Sequence, residues 1–395
     1  MLLQNKKIAI VGGGPGGLTL ARLLQQKGAE VKVYERDQDQ FGRQQGATLD
    51  LHYESGLKAL RAAGLIEEFA KNYRPGAERI TITDNNATIH YTERDEAPLQ
   101  DLNSIYARPE IDRSPLRDLL IASLQEDTII WDSKFLELTK NSDGWNMVFE
   151  NGNTAYADLI IAADGANSKI RKYLTNIQRI YSGVTIVEGN IYNAAINAPH
   201  LWELTNGGKV FALWKNKTVF LSAKGEGSLS FYTSTKETED WAKSSGIDFT
   251  NKAHVFTWFK QRFSDWSNDW HEIFLTDESY FVVRPQYHFP ADQSWQSVPN
   301  LTMIGDAAHV TPPSGEGVNL AMQDALELYE ALCVDGFTTT FEAIQSFEGK
   351  MHARASIGTK EALEMVEEMT SENNLQQMLN FFNQMVDLKK GDQTN

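Results

Sequence analysis

The sequence predicts an α/β fold. A Rossmann-like nucleotide domain is joined to a second, mainly antiparallel β layer and closed by carboxyl-terminal helices. Three observations carry that expectation. The first is a strand, glycine loop, helix and strand in succession from Ile8 to Arg36. The second is a pair of apolar strands far along the chain, one running into Asp164-Gly165 and the other into Gly305-Asp306. The third is the stretch from about Val184 to Phe289, where short β-rich runs alternate with glycine turns.

The first unit is the most specific. Ile8 to Val11 form a short apolar run, as in a strand buried on both faces. Gly12-Gly13-Gly14-Pro15-Gly16-Gly17 follows, with Gly12, Gly14 and Gly17 in GxGxxG register. Leu18, Leu20, Ala21, Leu23 and Leu24 recur at helical spacing until Gly28, and a second strand, Val31 to Tyr34, ends at Glu35. Gly12 permits a tight turn, Gly14 lets a pyrophosphate approach the backbone, and Gly17 lets helix and strand pack closely. The helix N-terminus offers free N–H groups to the phosphates. Glu35 stands where a carboxylate accepts hydrogen bonds from a ribose diol. Strand, helix and acid together favour a dinucleotide site over an ordinary glycine-rich turn, and by themselves suit FAD and NAD(P) alike.

Composition sets the outer limits. At 395 residues the chain exceeds one usual core. The expected division is a nucleotide domain over 1–176 with a β excursion near 77–102, a β-sheet substrate domain over 177–289, a return to the nucleotide domain over 290–339, and a helical segment over 340–395. With 41% hydrophobic and 23% charged residues the chain reads as soluble and globular. A net charge of -16 disfavours nucleic acid and anionic membranes as partners. No run approaches the ~20 apolar residues of a membrane span, and the first strand follows the opening residues too closely for a signal peptide. Cys333, the single cysteine, lies in an apolar helical pattern and reads as a packed residue. A cytoplasmic, monomeric protein without disulfides or a metal site is expected, acting on a small molecule.

Between these landmarks the chain reads in order. A polar loop carries Arg43 and Asp50, each of which alone suits plain solvated charge. A helix is expected from about Ser55 to Ala63, strands within 77–92, and a helix opening at Ser114 (N-cap) and Pro115. Arg113, just before it, suits an anion site or a surface charge. Residues 128–150 read as an antiparallel ribbon turning at Ser142-Asp143-Gly144. Asp164-Gly165 is expected to open onto a helix, which puts a carboxylate at the ligand-binding edge of the sheet. A single aromatic-rich helix is expected over Lys252 to Phe274, then helices over Leu320 to Cys333, Thr340 to His352 and Ile357 to Leu388.

Taken together, GxGxxG with its distal Glu35, DGANSKIRKYL and GDAAHVTPPSGEGVNLAMQDA resemble the FAD-dependent single-component aromatic hydroxylases. LARLLQQKGAEVKVYERD, GATLDLH and PEIDRSPLRDLL look most like the tetracycline-inactivating flavin monooxygenases among them. The resemblance implies a p-hydroxybenzoate-hydroxylase-like fold holding FAD. It places Glu35 on the ribose, Arg36 beside the adenine, Asp50 and Arg113 on the cofactor, Asp164 at the second fingerprint, and Asp306 near the ribityl or pyrophosphate region. Gly315, Glu316, Gly317 and Val318 would pass close to the isoalloxazine ring, where glycine N–H groups suit the charge of reduced flavin. Arg43 matches an arginine assigned to NADPH, a transient co-substrate. The relatives' substrate contacts fall on Glu188, Lys209 and Ser230, so one negative and one positive group are expected to face the ligand.

The implied reaction is hydroxylation of a tetracycline or related phenolic compound through a flavin C4a-hydroperoxide, with no catalytic acid or base supplied by the chain. His309 reads as a structural residue at a helix entry. Three departures from the family pattern stand out: Asp164-Gly165 where close relatives carry Asn-Gly, a loop between Pro313 and Gly315 one residue shorter than usual, and Glu316 where Gln is common. A simpler phenol as substrate, or a non-catalytic FAD-binding role, are the competing readings. A halogenase is disfavoured by the absence of WxWxIP, and a plain NAD-dependent dehydrogenase has no need of Gly305-Asp306.

Overall fold

The computed structural model describes residues 2–42, 47–97, 101–276 and 279–392, with side chains to residue 384. Its first sheet has five parallel strands in the order Leu301–Met303, Leu159–Ala162, Lys7–Val11, Glu30–Tyr34 and Ile129–Ile130. Ile8, Ile10, Ile160, Ile161 and Met303 are buried, which is why these runs read as continuous apolar stretches rather than alternating ones. Helices Pro15–Gln26 and Gly317–Cys333 pack against each other, and Gly16 lies so close to the Ala321 backbone that a Cβ there would crowd it. A three-stranded antiparallel ribbon, Phe135–Asn141, Gly144–Phe149 and Thr154–Ala157, packs on the sheet through Tyr34 and Phe149, whose rings stack at 4.9 Å.

The second sheet has seven strands in the order Tyr280–His288, Ile180–Ile191, Leu229–Lys236, Lys217–Ala223, Lys209–Trp214, Ile80–Thr83 and Ile89–Thr92. One face buries Val187, Phe231 and Val219 against Phe259, Phe263, Trp270 and Phe274, so the aromatic-rich segment is core. Cross-strand register defines the other face. Glu188 lies opposite Tyr232, Tyr232 opposite Phe220 and Phe220 opposite Phe211; one step along, Asn190, Ser230, Ser222 and Lys209 form the next row. Residues two apart share a face, so Glu188, Lys209 and Ser230 lie on one side. Helix Thr340–Met369 and helix Asn374–Asp392 follow, and the Phe382 ring of the latter lies 6.5 Å from Phe211 and 5.5 Å from Tyr91.

Several local expectations are corrected. The helix expected to open at Ser114 begins instead at Arg113, with Asp112 as its N-cap residue. No α-helix follows Asp164-Gly165; a single 3-10 turn, Arg171–Tyr173, stands there. Ile129–Ile130 leaves the ribbon and extends the parallel sheet instead. The aromatic segment divides into Lys252–Arg262 and a 3-10 stretch, Asn268–Phe274. The Leu320 helix starts earlier, at Gly317, because Asn319 is drawn into the protein and fixes the first turn. The break between the last two helices falls after Met369, not near residue 353. Arg354 explains this, since its guanidinium bonds Glu327 and Asp324 and needs the helix to run on beneath them.

Candidate active site

All the loops of interest leave the same carboxyl edge of the parallel sheet. Gly12, at φ +114, turns so tightly that a Cβ there would overlap the Ala163 carbonyl, and a Cβ on Gly17 would overlap Gly12 itself. Gly14 differs: nothing lies within 4 Å of where its Cβ would stand. Pro15 opens the helix, where its missing N–H is no loss. Glu35 is buried at the end of the second strand, and its Oε2 accepts from the Gly13 N–H at 2.6 Å. Arg36 beside it is exposed.

Asp164 and Asp306 stand at the ends of the neighbouring strands. Asp164 Oδ2 accepts from the Lys169 N–H at 3.0 Å, while its buried Oδ1 has no partner, and burial pushes its carboxyl up. Asp306 is exposed, though the protein beside it pushes its pKa up; His309 and Arg113 pull the other way. Arg113 is itself anchored by an Nε bond to the Ala47 carbonyl at 2.8 Å. An open backbone step at Gly14, a free helix start, a carboxylate at Glu35 and the unpartnered Asp164 oxygen fit the phosphates, ribose and polyol of a dinucleotide.

The structural residues around these are equally specific. Arg171 is buried, donates to the carbonyls of Ala307 and Ala308 at 3.1 and 2.8 Å, and stacks 3.5 Å over Phe289; burial lowers its pKa to about 10. It therefore ties the second fingerprint to the third. His309 Nε2 lies 2.6 Å from Asp324 Oδ2, which also accepts from the Gly305 N–H. Both residues are buried, so His309 holds the helix entry in place.

At the junction of the two sheets the structure gathers a charged cluster. His52 Nε2 lies 3.0 Å from Asp50 Oδ2, and its Nδ1 lies 3.3 Å from Glu316 Oε2. Burial disfavours the imidazolium, but Asp50 and Glu316 raise its pKa to about 9. Burial likewise opposes charge on Asp50, yet His52, Lys209 and Arg108 lower its pKa to about 2. Glu316 precedes the Gly317–Cys333 helix, Gly315 sits at φ +85, and Gly317 and Val318 present the helix's first N–H groups. Asn319 locks this corner: its Oδ1 accepts from the His52 N–H at 2.9 Å, and its Nδ2 donates to the Asp50 carbonyl at 2.9 Å.

The three expected substrate residues fare differently. Lys209 pairs with Glu110, which is wholly buried; burial opposes its charge, but Glu110 and Asp50 keep the ammonium protonated. Glu188 accepts from Arg284 Nε at 2.5 Å. The two groups expected to face the ligand, one negative and one positive, are therefore each held in an ion pair within the protein. Ser230 is 1% exposed, walled in between Asn190 and Ser222 in the sheet register, and offers a ligand no surface. Arg43 lies outside the described residues. His52, Glu110, Arg284 and Asn319 carry no signal in the sequence, because single charged or amide residues have no periodic pattern; Asn319 alone adjoins the expected 315–318 loop.

A parallel sheet with three loops leaving one edge, joined to an antiparallel sheet with an aromatic face, defines a dinucleotide-binding fold. Comparison with known proteins agrees. The family described as FAD binding domain matches residues 5–336. The chain therefore belongs to that family, and it is an FAD-dependent monooxygenase. It is 28% identical over 385 residues to the monooxygenase asqM of Emericella nidulans, covering 84% of this chain and 85% of that one. The fold matches the tetracycline destructase Tet(55) with a TM-score of 0.76 at 18% identity, covering 96% of each chain. It also matches Klebsiella pneumoniae HpxO, solved with FAD and uric acid, with a TM-score of 0.74 at 19% identity, covering 97% and 93%. Among the described residues no helix is long and apolar enough to cross a membrane.

Proposed function

We propose that the protein uses NADPH and O2 to hydroxylate a flat phenolic or polyketide ring, tetracyclines included. The observation that carries this is the aromatic face of the second sheet, where Phe211, Phe220 and Tyr232 step across adjacent strands at ring separations of 4.9 and 5.7 Å. Such a row of partly exposed rings, tilted to one another by 60° and 38°, gives a flat ligand apolar surfaces to pack on.

FAD supplies the electron transfer and oxygen activation. The chain's own part is to hold and to orient. Gly12, Gly14, Pro15 and Gly17 with the helix start take the phosphates. Glu35 takes the ribose with Arg36 alongside; Asp50, Arg113, Asp164 and Asp306 hold the middle of the cofactor; and Gly315, Glu316, Gly317 and Val318 flank the ring. Arg43 serves NADPH in this reading. Lys209, backed by Glu110, fixes Asp50 rather than the substrate, and Arg284 with Glu188 forms the polar rim of the substrate face. Arg284 is 57% exposed, and its Nη edge is suited to paired oxygens.

One observation favours a second reading, a single-ring phenol. The Tyr232 hydroxyl accepts from the Ala47 N–H at 2.9 Å and so crosses from the sheet to the cofactor side, which shortens the wall. Perturbation of the bound-flavin spectrum during titration with tetracycline and with simple phenols separates the two. Tyr232→Ala removes one ring of the wall and is expected to weaken tetracycline binding by about tenfold (roughly one hydrogen-bond-scale difference). Unchanged tetracycline binding in that variant, with tight phenol binding by the native protein, would leave the single-ring reading standing.

A further inference from the structure

His52 is held by two carboxylates from different parts of the chain. One, Asp50, is two residues away at the end of a strand pair, with Gly315 against it: a Cβ on Gly315 would stand 3.9 Å from Asp50 Oδ1. The other, Glu316, immediately precedes the Gly317–Cys333 helix. Both imidazole nitrogens are engaged, and the side chain is 15% exposed. An imidazole with an anionic acceptor on each nitrogen donates from both, and that requires the doubly protonated ring. The remaining charged neighbours act through Asp50: Lys209 and Arg108 favour its ionised form, and Glu110 opposes it.

Glu316 makes this arrangement consequential. A carboxylate at a helix start offsets the positive end of the dipole, which would otherwise favour a developing negative charge nearby. We propose that His52 is the compensating charge: held protonated between Asp50 and Glu316, it restores a positive field at the start of the Gly317–Cys333 helix and so raises the reduction potential of the flavin bound there. This rests on the reading that the flavin ring lies against residues 315–318. The chain's departure from glutamine at position 316 then has a partner, and the two residues act as one electrostatic unit. The raised His52 pKa of about 9 agrees with a proton retained through neutral pH. The sign with pH follows directly: the positive field is present below that value, and the potential falls more steeply as pH rises through it.

The test is the midpoint potential of the FAD-loaded protein, followed spectroscopically between pH 6 and 10 (about the span of the imidazole titration). His52→Gln is expected to lower the potential and Glu316→Gln to raise it. Each change should be about tenfold in the reduced-to-oxidised equilibrium, or about 30 mV for a two-electron couple. The extra steepness near pH 9 should vanish in His52→Gln. A potential unmoved by Glu316→Gln, or moved in the same direction by both substitutions, overturns the proposal, since mere loosening of the corner has no reason to give opposite signs. Should His52→Gln fail to fold, Glu316→Gln alone decides. Protein that binds no flavin at all contradicts the cofactor placement itself, which separates that failure from this one.

Discussion

Gly17→Ala is expected to prevent accumulation of the folded protein, whereas Gly14→Ala should fold normally and fail to hold FAD. The two glycines are three residues apart and chemically identical, so the contrast isolates geometry. A methyl on Gly17 would overlap the Gly12 carbonyl and press on Ala163 and Ile10, inside the contact between first helix and first strand. Overpacking that cannot relax through a flexible side chain costs about 1–3 kcal/mol or more, and here the obstacle is backbone. A methyl on Gly14 meets no protein atom and fills only the space through which a pyrophosphate approaches. Expression level, thermal unfolding and flavin content of the two purified variants check this. Equal flavin retention in Gly14→Ala and the native protein would mean that the phosphates lie elsewhere.

Removing the Lys209 ammonium should destabilise the fold strongly. Glu110 is 0% exposed and lies against Lys209, at the seam where the first sheet's loops meet the second sheet. Deleting one partner of a buried pair costs about 3–5 kcal/mol, because the other charge is left without compensation; replacing both partners with neutral groups of similar volume often restores most of it. Lys209→Met should therefore lose several kcal/mol in denaturant unfolding, and Glu110→Gln with Lys209→Met should recover more than half. The single variant should also loosen FAD, since Lys209 is one of the groups that hold Asp50 ionised. A double variant as unstable as the single one would show that Lys209 acts through packing rather than charge.

What the sequence disclosed follows from range and repetition. The glycine loop, its flanking strands and Glu35 form one contiguous unit whose spacing is set by the turn and helix it must build, so it was legible residue by residue. Asp164-Gly165 and Gly305-Asp306 were legible because each ends an apolar run. The partners of Lys209 and Glu188, and Glu316 of the two carboxylates that hold His52, come from strands and loops far away in the chain, and no local pattern reports such a pairing. Ser230 shows the same limit from the other side. Strand alternation gives its face, but its burial depends on Asn190 and Ser222, which enter only through the sheet register. Helix ends were misplaced where a tertiary contact overrode local preference, as when buried Asn319 drew the helix start back to Gly317 and Arg354 carried a helix past residue 353.

In the proposed function one site holds FAD and passes oxygen to a ring lying against Phe211, Phe220 and Tyr232. Turnover of the purified protein with NADPH, oxygen-18 gas and either tetracycline or a simple phenol tests it most directly. The expected result is a yellow protein with about one FAD per chain, and a product heavier by one labelled oxygen atom, formed in step with NADPH oxidation. Flavin bound but label found only in hydrogen peroxide or water, whichever ring is offered, would contradict it.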